Sequence, residues 1–215
     1  MRYGICKLSV VPMRKEASHT SELVSELLFN DIYQIIDENE EWLKIRCMYD
    51  SYEGWIRKLQ HNEITDDELK DYISKDKYIV NVPVLHYENM IISFGSKIFQ
   101  NTEGTIPLSK SYDPDVFTDS AFRMLNVPYR WGGKSVMGID CSAFVQLCAK
   151  IAGYKLPRDA SQQYNFGEEV SLSEALPGDI AFFENEKHEV IMKIYHFHTS
   201  LAICTTFSII TSRAV

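Results

Sequence analysis

The sequence predicts an α+β chain in which an all-β segment comes first. Three observations lead there. Short apolar and β-branched runs crowd the first 60 residues, apolar residues fall at helical spacing after Asp113-Pro114, and Ile180-Ala181-Phe182-Phe183 then returns to a strand. With 215 residues, 45% hydrophobic and 24% charged, the chain can bury a substantial core. A net charge of -8 and an isoelectric point near 5.3 exclude nucleic acid as a partner, since that would need a basic face.

Taken in order, residues 5–11 read as a first strand, ended by Pro12. Leu23, Val24, Leu27 and Leu28 fit a helical face, but Asn30-Asp31 follows and residues 32–36 form another β-branched run, so two strands of a hairpin are expected. Residues 38–41 are a turn, Trp42-Leu43-Lys44-Ile45-Arg46-Cys47 alternates with period 2, and Tyr52-Glu53-Gly54-Trp55-Ile56 closes the segment. Several short strands at close spacing suggest a small barrel. The pattern resembles a bacterial SH3-like barrel over about residues 1–60. Residues 61–112 are a linker, with an acidic helix or loop at 62–75. Strand-like runs over 78–110 form either a second, reduced barrel or a brace for the C-terminal part.

In the last part, residues 113–215, Val116, Ala121, Phe122 and Leu125 define a helix face. After Trp131-Gly132-Gly133-Lys134, Gly138 allows a sharp turn into a second helix whose buried face holds Phe144, Val145 and Cys148. Cys141 falls in its first turn, where free N–H groups and the helix dipole favour a thiolate. Cys6, Cys47, Cys148 and Cys204 lie in apolar runs and read as ordinary core thiols. No histidine pair among His19, His61 and His86, set in polar or loop stretches, has metal-ligand spacing, so no metal and no cofactor are expected. Five widely spaced cysteines, no apolar leader behind the N-terminus and no 18-residue apolar run predict a cytoplasmic chain with no membrane partner.

Four motifs occur in a telling order. They are Pro128-Tyr129-Arg130-Trp131-Gly132-Gly133, Gly138-Ile139-Asp140-Cys141-Ser142-Ala143-Phe144-Val145, Leu156-Pro157-Arg158-Asp159-Ala160-Ser161-Gln162-Gln163, and Pro177-Gly178-Asp179-Ile180-Ala181-Phe182-Phe183. Residues 113–185 thereby resemble the NlpC/p60 family of papain-like cell-wall peptidases, whose helices pack on an antiparallel sheet. With the barrel in front, the chain looks like the family's γ-D-glutamyl-L-diamino acid endopeptidases. The resemblance implies a small murein peptide as substrate, cut between γ-D-glutamate and the diamino acid behind a free N-terminal L-alanine. It implies Cys141 as nucleophile and Tyr129 as oxyanion support. It further implies that Asp140 and Ser142 contact the substrate's amine end, that Arg158 and Ser161 line the same cleft, and that Tyr52 and Glu16 recognise the amine from the barrel.

A thiol peptidase also needs a histidine base. The family's His-Val-Gly-Ile strand corresponds here to Tyr195-His196-Phe197-His198-Thr199-Ser200-Leu201, with His198 the better match and His196 on the same strand face. Where the family has a second histidine, Ile209-Ile210-Thr211-Ser212 offers Thr211, an uncharged partner. The chain ends three residues beyond that motif, which implies a shortened C-terminus. Two functions are compatible with these residues: a cysteine peptidase recycling murein peptides, or an impaired homologue that only binds them.

Overall fold

The computed structural model describes residues 1–171, 173–176, 178–184, 190–193 and 207–211. Strands β1 (Arg2–Ile5), β2 (Val10–Arg14), β3 (Leu23–Leu28), β4 (Ile32–Glu38), β5 (Trp42–Cys47), β6 (Glu53–Arg57) and β7 (Glu63–Ile64) form a seven-stranded antiparallel sheet in the order β3-β2-β6-β5-β4-β1-β7. Period-2 alternation turns Leu43, Ile45 and Cys47 of β5 into a core with Val11, Met13, Leu27, Tyr33 and Ile56. Each such aliphatic side chain, fully buried, stabilises the fold by about 1.5–3 kcal/mol.

Three details of this sheet differ from the sequence expectation. Residues 5–11 are not one strand, since β1 ends at Ile5 and β2 begins at Val10. Pro12 lies inside β2 rather than at a strand end. β2 meets β6 only at Arg14 and Trp55, so Pro12 sits where one flank carries no ladder, and its missing N–H is tolerated. β3 and β4 do not form a hairpin either. Asn30 takes a positive φ of 62°, and Asp31 N–H closes a local turn on the Leu28 carbonyl, but the remaining groups bond elsewhere: Asn30 N–H to the Cys6 carbonyl, Cys6 N–H to the Asp31 carbonyl, and Asn30 Nδ2 to the Lys97 carbonyl. β3 therefore pairs with β2, and β4 with β1 and β5.

Helix α1 (Asp66–Ser74) starts with a reciprocal capping box between Thr65 and Glu68 and buries Leu69 and Tyr72 against Ile5 and Ile32. Beyond it, β8 (Tyr78–Val80) is flanked by β11 (Lys97–Ile98) and β12 (Thr105–Pro107), while β9 (Val84–Tyr87) and β10 (Met90–Ser93) form a hairpin. These residues make two separate small sheets; Ile79 and Phe94 pack into the core of the C-terminal part. His86, expected in a loop, is an exposed residue of β9.

Helix α2 (Pro114–Arg123) is capped by Asp113, whose carboxylate accepts from the N–H groups of Asp115 and Val116. Its buried face is Phe117, Ser120 and Ala121, with Met124 just beyond, whereas Phe122 and Leu125 point to solvent. The face is thus rotated from the expected one, because the helix docks on α3 through Phe117 and Met124. A short β13 (Lys134–Ser135) and β14 (Gly138–Ile139) hairpin leads into α3 (Cys141–Ile151). Almost all of α3 is buried, as befits a helix at the centre of a core. Its Ala143, Val145, Leu147 and Cys148 meet Leu28 of the barrel, Phe94, Phe117 of α2 and Phe182. Helix α4 (Ala160–Tyr164), β15 (Glu168–Val170), β16 (Ile180–Glu184), β17 (Val190–Lys193) and β18 (Phe207–Thr211) complete the chain, the strands forming an antiparallel sheet in the order β15-β18-β16-β17. The architecture is α+β.

Candidate active site

Cys141 is the first residue of α3 and is partly exposed. The other described cysteines are buried: burial raises the Cys6 thiol to about 12 and pushes Cys47 and Cys148 up as well. Cys204 lies outside the described residues.

The segment before α3 folds back on itself. Ile139 N–H bonds to the Pro128 carbonyl, Arg130 N–H to the Ile139 carbonyl, and Asp140 N–H to the Gly133 carbonyl. This doubling sets Tyr129 alongside Ile139, next to the residues that open the helix. The Tyr129 phenol is 67% exposed; partial burial raises its pKa first, with the neighbouring Cys141 and Asp140 adding to it. The fold-back needs glycine. Gly132 has φ +72°, and a Cβ there would come within 2.1 Å of the Leu23 carbonyl oxygen in β3. At Gly138, φ is +146° and a Cβ would lie 2.5 Å from the Arg130 Cβ.

Asp140 caps α3, accepting from Ala143 N–H at 2.8 Å, and the same carboxylate accepts from the Ser142 hydroxyl at 3.1 Å and Gly132 N–H at 3.0 Å. Arg158 grips it from the other side through two nitrogens, at 3.0 and 2.7 Å. Arg158 is 2% exposed, and it also donates to Ser142 Oγ and, through Nε, to Ser25 Oγ of β3. Burial works against its charge, but Asp140, with Tyr52 and Asp159 beyond, more than restores it and lifts the pKa above the ordinary arginine value. Tyr52 approaches from the barrel side: burial first, then Asp159, drive its phenol pKa up, with Arg158 and Asp140 also in range.

Several contacts to this loop have no counterpart in the sequence reading. Glu26 of β3, 2% exposed, accepts from Lys134 N–H at 2.8 Å and pairs with Arg130 at 3.3 Å. Glu22 accepts from the Trp131 indole at 2.8 Å, a bond that holds its carboxyl below the usual range, helped by Lys15. Both glutamates look like ordinary strand-edge charges in the sequence; their partners are more than 100 residues away, and no local spacing reveals them.

Cys141, Tyr129, Asp140, Ser142, Arg158 and Tyr52 are therefore neighbours in space. Ser161 is exposed on α4, and Glu16 is exposed in the loop after β2, where its backbone bonds to the Ser21 hydroxyl and Ser18 N–H. His198 and its alternative His196 lie outside the described residues. Thr211 is the last residue of β18 and pairs in register with Glu168; its side chain is outside the described set. Among the described residues no cluster of three or more His, Cys, Asp or Glu could hold a metal ion, and no helix is long and apolar enough to cross a membrane.

Residues 126–201 match the NlpC/P60 family model, and residues 13–60 match that of the bacterial dipeptidyl-peptidase Sh3 domain. The chain carries an NlpC/P60 domain behind a bacterial SH3 domain. The NlpC/P60 match groups residues 126–201 with a family of cysteine peptidases, which are hydrolases. A γ-D-glutamyl-L-lysine dipeptidyl-peptidase of Bacillus subtilis is 26% identical across 86% of this chain and 68% of its own length. Dipeptidyl-peptidase 6 of Lysinibacillus sphaericus is 27% identical across 84% of this chain and 81% of its own. The crystal structure of an NlpC/P60 family protein from Bacillus cereus superposes with a TM-score of 0.77 at 17% identity, covering 90% of this chain and 88% of that one, which is a likeness of fold. The NlpC/P60 match contains the whole Tyr129–Cys141–Arg158 constellation, and the SH3 match contains Glu22, Ser25, Glu26 and Tyr52, which touch it or lie in range.

Proposed function

We propose that the chain hydrolyses the γ-D-glutamyl–diamino acid bond of short murein peptides bearing a free N-terminal L-alanine, as in cell-wall peptide recycling in the cytoplasm. The observation that carries this reading is the partly exposed thiol of Cys141 at the N-terminus of α3, beside an Asp140–Arg158 pair that is locked by the barrel. Cys141 Sγ attacks the γ-carbonyl carbon, and the Tyr129 hydroxyl serves to support the oxyanion that develops. His198 takes the thiol proton and returns it to the leaving amine, with Thr211 accepting from its other ring nitrogen. A water then hydrolyses the thioester and frees the L-Ala-γ-D-Glu acid.

Asp140, Ser142 and Arg158 act as the frame of the subsite. Asp140 already accepts from three donors besides Arg158 and is half of a closed ion pair, so its task is to fix the helix start and the glycine loop. Tyr52, Ser161 and Glu16 are assigned to substrate contact. A short peptide is favoured because a buried ammonium needs partnered acceptors on all sides, which a closed end supplies and a polymer would block.

A second reading, a homologue that binds murein peptides without cutting them, is motivated by residues 195–203 and 209–212, where the second histidine of the family is replaced by Thr211. Hydrolysis of L-Ala-γ-D-Glu-diamino acid tripeptide by the wild type, Cys141→Ala and His198→Ala separates the two. Turnover abolished by both substitutions supports the peptidase. No turnover by the wild type, together with saturable binding of the tripeptide, supports the binding protein, and an unaffected His198→Ala removes that residue from the mechanism.

A further inference from the structure

The far end of α3 presents a different chemistry. Lys150, nine residues and therefore about 14 Å along the helix from Cys141, is 3% exposed and donates to the Gly95 carbonyl at 2.8 Å. It shares Asp31 with Lys97: the two ammonium groups lie 3.6 and 3.2 Å from the same carboxylate oxygen. These lysines open onto a cavity of about 320 Å³ that Lys110 and Lys155 also line, with Tyr49 and Tyr154 as aromatic walls. Lys150 and Lys155 both stand over the Tyr49 ring, at 5.1 and 5.9 Å.

Four lysines thus line one space, and the Asp31 carboxylate beside it is already divided between two of them. Among the described residues Lys110 and Lys155 have no carboxylate within ion-pair reach. Asp50 is taken by Lys134 at 3.7 Å and by Gln146 Nε2 at 2.9 Å. Burial first, with Lys97 and Lys134 reinforcing it against Asp31, lowers the Lys150 pKa to about 7, whereas at Lys97 burial is outweighed by Asp31 and Tyr72 and the pKa is raised. Buried cations are stable only when paired, and an anion seated between Lys97, Lys150 and the two outer lysines would complete the set.

We propose that this cavity binds a small organic anion carrying two or more negative charges on carboxylate or phosphate oxygens, at a site separate from Cys141. The inner lysines supply a pre-oriented floor, Lys110 and Lys155 close over the charge, and the tyrosine faces take the apolar body of the ligand.

Isothermal titration of the full chain at constant ionic strength tests this, with inorganic phosphate in one arm and succinate in the other. The comparison protein is Lys110→Gln/Lys155→Gln, whose two exposed positions leave the core and the Cys141 region untouched. The expected result is saturable binding of at least one probe by the wild type, weakened at least about tenfold in the double variant. Which probe binds assigns the phosphate or the carboxylate source. No saturable heat with either probe, or equal binding by both proteins, would overturn the proposal.

Discussion

The two ends of α3 bury charge in opposite ways. At its start, Asp140 satisfies Arg158 together with the Gly132, Ser142 and Ala143 donors, so the pair behaves as a rigid bracket. At its end, Asp31 is divided between Lys97 and Lys150, and cations remain in excess around open space. A balanced buried pair holds geometry, whereas an unbalanced one leaves room for an outside partner. The same helix carries a closed ion pair at one end and clustered lysines at the other.

Cutting the balanced end has the largest effect. Arg158→Ala strands a buried carboxylate and removes the tie to Ser25, so urea unfolding should show a loss of about 3–5 kcal/mol. Gly132→Ala is next. With φ at +72° and the Leu23 carbonyl in the way, the loop must move, for a loss of about 1–3 kcal/mol and a matching fall in tripeptide turnover. A loss below about 0.5 kcal/mol would mean that β3 and the loop are not in firm contact.

The two cysteines of α3 sharpen the contrast at smaller scale. Cys148→Ser places a hydroxyl in an apolar core and should cost about 1–2 kcal/mol. Cys141→Ser should stay within about 0.5 kcal/mol of wild type. Iodoacetamide followed by peptide mass spectrometry should label Cys141 first in the native protein, leaving Cys6, Cys47 and Cys148 untouched until unfolding.

The smallest effect concerns His61, whose Nδ1 lies 2.9 Å from the Tyr33 hydroxyl and whose burial lowers its pKa. Folding therefore disfavours the charged ring. Its contribution is fully present above the unfolded value near 6.5 and is lost as the pH falls through the lower folded value. Thermal melts between pH 8 and 5 should decline less steeply in His61→Gln than in wild type.

How legible each element is in the sequence depends on the range of the interaction that makes it. The strand Trp42–Cys47 and the Asp113-Pro114 helix start are readable because alternation and capping act within a few residues. The β3–β4 connection mimics a hairpin because the turn at Asn30 is tied to Cys6 and Lys97, which no local pattern displays. The outer face of α2 passes for the inner one, since Phe122 and Leu125 fit an apolar stripe as well as Phe117 and Met124 do. Arg158 is recognisable only through its motif. As a loop residue it suggests exposure, yet it is the largest fully buried side chain among the described residues, gripped by Asp140 at 18 residues' separation and Ser25 at 133.

The nearness of Gly132 to the Leu23 carbonyl constrains how such chains can be recombined. A chimera that joins this N-terminal module to a foreign hydrolase half would have to rebuild the packing of Leu28 on α3 and the Ser25–Arg158 bond. At the backbone contact itself it would fail unless residues 22–26 and 129–134 were transplanted together. Inheritance should therefore treat those two stretches as a single unit, although about a hundred residues divide them along the chain.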